Sequence, residues 1–513
     1  MKEKSWFLGI DLGTGSCKAV VVDRKGQVLS SGKADYPSEN THQKWQEQNP
    51  EALLGGLIHS VKEALRKADY LSGPCAGMSI GGALHSLIAL DGTGKPLSGV
   101  LTWVDGRAVH QGEAIKKGPE AAKLYQQTGC PPHGMYPLYK IIWFRENKPD
   151  LFRKTTRFVS AKEYVFQKLT GEYIADYCLA AGSGLFNIHD FTWNGLSLDL
   201  AGIDRNRLSD LTDPRQVFRL VNRPLAGEMG VAPETPLVIG SADAVNSSLG
   251  AGTAFSHQAT CMIGTSGALR MISPRPILDP ESRSWCYAFD QDHWLVGGAI
   301  NNGGVVLSWL GDTLRKAFPG LLEELADSFQ PLDALAKKGG TGAGGLICLP
   351  FFAGERSPHW NLNARALFFG LTLDHKLEQM ARAILEGIAF RMKSIYDVIC
   401  LLSGDIKEIR ASGGFTQSKV WPQIMASVLN QKLLIPSWSE TSDLGTAFWA
   451  MLGTGAIGSL EEAALLPSIK EEIVPKEEER EIYEALYRIY GRLYQAVSPL
   501  FEETALLQKK LLG

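Results

Sequence analysis

The chain has 513 residues, 44 % of them hydrophobic and 21 % charged, with a formal net charge of −3. That length exceeds one ordinary core, so two large domains are expected, and the lack of a basic excess argues against nucleic acid as a main partner. Eight cysteines scattered without paired spacing argue against a disulfide framework or a zinc site and suit a reducing cytoplasm.

Residues 1–4 precede only a short apolar run, so no secretory signal is expected. No run approaches the length of a membrane span, and the reading is a cytoplasmic protein without a membrane partner.

The first element is an apolar strand that delivers Asp11, then turns through Gly13, Thr14, Gly15 and Ser16 into a second apolar strand carrying Lys18. Small residues let backbone N–H groups approach a phosphate, and the Thr14 and Ser16 hydroxyls add donors. Asp11, at a strand end, is placed to hold a hydrated Mg²⁺. The loop read alone is equally a hairpin with ordinary turn residues.

A turn at 23–26 leads to a third strand from Gln27. A helix then follows Asn49-Pro50-Glu51, with Leu53, Leu54, Leu57, Ile58 and Val61 at helical spacing. Residues 76–90 return to strand, interrupted by Gly81-Gly82 and by His85-Ser86. Residues 100–235 alternate helices and loops, an insertion-like body on the first domain.

Residues 236–245 read as a buried strand, a small-residue turn and a helix start, with Asp243 at the junction. A charge there is awkward unless the strand end opens into a cleft; the competing reading is a helix N-cap. The boundary is placed at 250, giving domains 1–250 and 251–513. The second domain repeats the hairpin at 259–272, with Gly264, Thr265 and Ser266 in its turn and Arg270 beyond it. Two such loops suggest related domains clasping one nucleotide.

Helices are expected at 376–396 and 419–430, and another entering through Asp443-Leu444-Gly445. The charged segment 470–481 reads as an exposed stretch before an amphipathic helix presenting Ile482, Leu486, Ile489 and Leu493. That tail is a candidate dimer contact, although packing on its own domain is the preferred reading. Residues 340–345 satisfy G-x-G-x-x-G, but no strand precedes them and a strand rather than a helix follows, so a dinucleotide site is rejected. No G-x-x-x-x-G-K-[ST] loop and no protein-kinase motif set occur.

Two longer segments carry a resemblance. Residues 135–147 (MYPLYKIIWFREN) resemble the first signature of the FGGY carbohydrate kinases, and 366–371 with 379–386 resemble the second. The resemblance spans nearly the whole chain. It implies an α/β fold of two ribonuclease-H-like domains, of the actin/hexokinase/Hsp70 type, with an interdomain cleft and ATP-dependent phosphorylation of a sugar or polyol.

By position, Asp243 matches the family's catalytic base, Asp11 its metal carboxylate, and Gly264-Thr265 its phosphate loop. Gly304, Gly414 and Ser418 match further nucleotide contacts, although relatives often carry Asn at the last. Leu84-His85 falls where related xylulose kinases carry a Met-His sugar contact, and Trp103-Val104-Asp105-Gly106-Arg107 resembles the stretch beside the sugar site. Asp105 suits hydroxyls and Arg107 an anion, although the two could pair with each other. Segments 82–91, 128–135, 297–304 and 353–361 are similar to the branch of this family that acts on gluconate, implying conversion of D-gluconate to 6-phospho-D-gluconate. A sugar acid needs a partner for its carboxylate; His133, Lys140 and Arg107 are the candidates.

Overall fold

The computed structural model describes residues 5–37, 39–42, 45–68, 71, 73–317 and 330–512; residues 1–4 lie outside it. Two mixed sheets organise the chain. The first runs in the order Val217–Phe218, Leu237–Val238, Cys75–Gly82, Trp6–Leu12, Ser16–Val22, Val28–Asp35. The second runs Trp285–Ala288, Trp294–Ile300, Gly267–Ser273, Gln258–Ile263, Glu408–Ser412, Leu433–Pro436, Ile469–Ile473.

Both follow one plan. A three-stranded antiparallel meander is extended on the side of its first strand by parallel neighbours: Trp6–Leu12 pairs parallel with Cys75–Gly82, and Gln258–Ile263 with Glu408–Ser412. This is the expected α/β architecture of two related units, each opening with a strand–turn–strand loop.

Local chemistry sets most helix ends. Asn49 caps the Pro50–Lys67 helix by accepting from the Glu51 amide, and Pro50 occupies the first turn, where no N–H is required. This helix buries Leu53, Leu57 and Val61, while Leu54 and Ile58 are half-buried. The Gly-rich segment 340–345 forms a short 3-10 turn before the strand Ile347–Leu349, consistent with its rejection as a dinucleotide loop.

Three features depart from the sequence reading. The helix Thr441–Gly453, far along the chain, packs on the first sheet, where a Cβ added to Gly9 would meet the Ala447 nitrogen at 2.4 Å. Residues Ile469–Ile473 pair as the edge strand of the second sheet, which the sequence reading lacked, although 469–472 are exposed as expected.

The Glu477–Val497 helix has the expected period but another phase. It buries Tyr483, Leu486 and Tyr490, while Ile482 and Ile489 stay exposed. The tyrosine hydroxyl explains the rotation at Tyr483, which accepts from Arg382 at 2.6 Å and donates to Glu386 at 3.1 Å inside a buried ion pair. All eight cysteines are free thiols. Among the described residues no helix is long and apolar enough to cross a membrane.

Candidate active site

A cavity of about 420 Å³ lies between the two sheets, and its lining draws on both halves of the chain. Asp11, Lys18 and Asp243 come from the first half. Gly264, Arg270, the Ser412–Gly414 turn, Gln417 and residues 439–442 come from the second.

Hairpin register explains the first pair. Asp11 and Lys18 are cross-strand partners, so the carboxylate and the ammonium emerge together beside the Gly13–Gly15 turn. Lys18 is ion-paired to Glu440. The Thr14 hydroxyl accepts from the Trp103 indole at 3.2 Å, whereas Gly15 is exposed. In the second hairpin the Gly304 amide donates to the Gly264 carbonyl at 2.7 Å, which ties the helix Gly304–Ala317 to the loop, and the Thr265 carbonyl accepts from Gly303.

Asp243 is the first residue of the Asp243–Gly250 helix; Ala242 holds the cap position and makes no side-chain cap bond. The N-cap reading is therefore corrected: Asp243 stands inside the first turn rather than at the cap, and it lines the cavity. Burial raises its pKa, opposed by the Arg270 charge and by the Ala244 and Leu84 amides. Through that last contact Asp243 adjoins the Leu84–His85 segment. Behind it, the buried Lys162 ammonium donates to Asp176 at 2.7 Å and to the Gly240 carbonyl at 3.0 Å, pinning the turn that presents Asp243.

Asp11 is 8 % exposed, and its Oδ1 is buried without a hydrogen-bond partner. Burial, then the Asp243 charge, hold its carboxyl up to about 7. A buried oxygen lacking a donor fits a cation ligand.

The expected sugar residues lie apart from this cavity's lining, and all are buried. His85, at φ 69°, shares its Nδ1 proton with the Gly182 carbonyl at 2.6 Å, leaving Nε2 as an acceptor. His133 is the converse: its Nδ1 accepts from the Met135 amide at 3.2 Å, so Nε2 carries the proton, and that atom has no partner. Burial pushes both imidazoles down to about 3.

Asp105 and Arg107 close on each other. Asp105 accepts from the Arg107 amide, Nε and Nη2 and from the Gln46 amide, which occupies all four of its acceptor positions. Arg107 also meets Glu47 at 2.6 Å and lies over Trp45 and Trp143. With two carboxylates already compensating its charge, Arg107 follows the alternative the sequence left open, pairing with Asp105 rather than standing free for an anion. Lys140 is likewise engaged, donating to the His85 and Thr102 carbonyls at 2.6 and 2.8 Å. The Ser418 hydroxyl donates to Asp333 at 2.7 Å and receives the Val420 and Trp421 amides; its neighbour Gln417 lines the cavity instead.

Several polar residues were not singled out from the sequence. Arg270 is buried, donates to the Ala244 carbonyl at 2.8 Å and to Ser247 at 3.1 Å, and keeps an unpartnered Nε. It lies in the return strand of the second hairpin, Gly267–Ser273, where a charge in an otherwise apolar run (GALRMIS) was the available signal. Asp443, pushed up to about 8 chiefly by burial, accepts from the Trp438 indole at 3.1 Å. Glu440 and Ser442 had no local signal.

The neutral His133 has a consequence for acid stability. The unfolded chain takes a proton near pH 6.5, whereas the folded histidine does so only near 3. Stability is thus lost as pH falls below about 6.5, at a slope of about 1.4 kcal/mol per pH unit for this group. Between pH 7 and 5 the wild type should lose about 2 kcal/mol more than a His133→Asn variant. Urea unfolding at both pH values checks this, and identical pH dependence in the two proteins would count against a neutral His133.

Residues 6–250 match the N-terminal domain, and residues 259–454 the C-terminal domain, of the FGGY family of carbohydrate kinases. The chain is 35 % identical over 509 residues, 99 % of each sequence, to a gluconokinase of Bacillus licheniformis. It superposes on a gluconate kinase from Lactobacillus acidophilus with a TM-score of 0.91 and 29 % identity, covering 98 % of this chain and 99 % of that one. A ligand-bound xylulose kinase from Lactobacillus acidophilus gives the same TM-score and identity over 98 % of this chain and 100 % of that one.

Proposed function

The chain belongs to the FGGY family of carbohydrate kinases, and from that premise we propose that it transfers the terminal phosphoryl group of ATP to D-gluconate, giving 6-phospho-D-gluconate, with Asp243 as the base. One observation carries the chemistry. The Asp243 carboxylate faces the cavity lined by both hairpins and also meets the Leu84 amide, so it touches the nucleotide side and the sugar side together.

A primary alcohol is a poor nucleophile until its proton is accepted as the P–O bond forms, and a carboxylate within reach does this. Burial raises the Asp243 pKa, opposed by the Arg270 charge, and a more basic carboxylate is a better proton acceptor. The Gly13–Ser16 and Gly264–Ser266 turns offer backbone donors to the phosphates, with the Thr14 and Ser16 hydroxyls and Lys18 alongside. Gly304, Gly414 and the 417–418 segment take the rest of the nucleotide. Mg²⁺ held by Asp11 would neutralise phosphate charge. On the sugar side, Leu84, the His85 Nε2 acceptor and the His133 Nε2–H donor receive hydroxyl and carboxylate groups, and the Asp105–Arg107 pair holds the wall. Cytoplasmic residence accords with the eight unpaired thiols.

Gluconate is favoured over xylulose by sequence rather than by fold. The gluconokinase relative is 35 % identical, against 26 % for a xylulose kinase of Staphylococcus epidermidis over a similar length, whereas the two solved kinases of different substrate superpose equally well. A coupled ADP-release assay with Mg·ATP against gluconate, xylulose, glycerol and ribulose tests the reading. The highest kcat/KM is expected with gluconate. Preference for a neutral sugar would discard the substrate and keep the kinase. Silence on a broad panel of sugars and sugar acids would point to a sugar sensor on the same fold.

A further inference from the structure

A guanidinium buried without a carboxylate of its own stands out beside the expected sugar residues. Arg356 is 8 % exposed, donates through Nη2 to the Ile300 carbonyl at 2.9 Å, and lies over the Trp103 ring at 4.8 Å. Its Nε is buried and unpartnered.

The adjacent carboxylate, Glu355, is held elsewhere. It pairs with the fully buried Arg391 at 3.1 Å and accepts the Asn301 and Arg356 backbone amides. Among the described residues no carboxylate forms an ion pair with the Arg356 side chain.

Burying such a charge without a counter-ion is costly, and the cost is relieved when an anion arrives. The surroundings are arranged for one. The Arg356 charge bears on both His85 and His133, and each is kept neutral, so neither adds a competing cation. The His133 Nε2–H is a second buried donor without a partner. The Tyr136 and Tyr287 hydroxyls nearby are bonded to each other at 2.9 Å, and burial raises both well above their ordinary range, so they stay protonated. The two other cations considered for this role, Lys140 and Arg107, are already engaged by carbonyls and carboxylates.

We propose that Arg356, assisted by the His133 Nε2–H, binds the carboxylate of the sugar-acid substrate while Asp243 addresses the hydroxyl that is phosphorylated. This rests on the gluconate reading above and assigns the group that enforces it. A guanidinium matches a carboxylate as a two-pronged donor. A neutral sugar leaves that guanidinium buried with no ion-pair partner and only the neighbouring Glu355 charge acting on it, so discrimination against xylulose comes from the unpaired charge as much as from the missing contact.

The test compares wild type, Arg356→Gln, Arg356→Lys and His133→Asn with D-gluconate and D-xylulose as acceptors, and measures gluconate binding by calorimetry without ATP. In Arg356→Gln the gluconate-to-xylulose ratio of kcat/KM should fall by about 10- to 100-fold. Most of the change should appear as a raised gluconate KM and a matching loss of affinity. Arg356→Lys keeps the charge but not the fork, and should lie between; it also serves if the Gln variant fails to fold. Equal losses on both substrates would make Arg356 a structural clamp between Ile300 and Trp103 and overturn the proposal. Gluconate preference surviving intact in both Arg356 variants would overturn it too and leave the substrate reading standing. A wild type that prefers xylulose would overturn the substrate reading itself.

Discussion

Replacing Asp243 with Ala is expected to lower turnover by about 10²- to 10⁴-fold while leaving ATP binding measurable. The carboxylate is held at the first residue of its helix by geometry that the substitution spares, because Lys162 grips the preceding turn through the Gly240 carbonyl and Asp176. In the proposed binding mode the ATP contacts come from the two hairpins and the 412–417 turn rather than from the Asp243 side chain. What disappears is the proton acceptor and the counter-charge of the buried Arg270.

Losing that counter-charge carries a stability cost of its own, so Asp243→Asn is the companion variant. It keeps the shape and one acceptor oxygen but has no basicity, and should lose turnover to a similar degree with less destabilisation. Steady-state kcat with coupled ADP detection, alongside ATP titration calorimetry, reads both effects. Turnover near the wild-type level in either variant would remove Asp243 from the role of base.

Gly445→Ala is expected to cost about 3 kcal/mol of stability, at the upper end of what overpacking produces. A Cβ at this position would lie 1.9 Å from the Asn246 carbonyl oxygen and 2.9 Å from the Gly250 nitrogen. Backbone, not a flexible side chain, is the obstacle, so the Thr441–Gly453 and Asp243–Gly250 helices must separate. They are also tied by Asn246, which donates to Thr446 at 2.9 Å and accepts from the Trp449 indole at 2.8 Å. The N-terminal ends of these helices carry Asp243 and the Ser442 wall of the cavity, so spreading the crossing moves the two sides of the site apart. A lowered urea midpoint together with reduced kcat in the folded protein is the expected outcome. Unchanged stability would show that the crossing has slack.

Much of this was legible in the sequence because it is local. The Gly13–Ser16 and Gly264–Ser266 turns follow from small residues after an apolar strand, and the Pro50–Lys67 helix follows from an Asn-Pro start and apolar spacing. The two signatures at 135–147 and 366–386 carried the family. Periodicity also placed a helix near the C-terminal end, but it chose Ile482 and Ile489 for a face that belongs to Tyr483 and Tyr490. The Arg382–Glu386 pair that receives the Tyr483 hydroxyl lies about a hundred residues away, and nothing in a local pattern reports it.

The same limit governs the site. That Asp105, Arg107 and His133 lie in stretches resembling the family's sugar site was visible from the chain, whereas Arg356 was not singled out. Which of them keeps a donor free was decided by tertiary partners: Gln46 and Glu47 close on the first two, while Arg391 takes Glu355 away from Arg356. Sequence by itself therefore determined most of the elements, the order of the two domains and the family. Only the folded chain decided which charges cancel inside the protein and which remain for a ligand, because ion pairing depends on distances between residues that the sequence holds far apart.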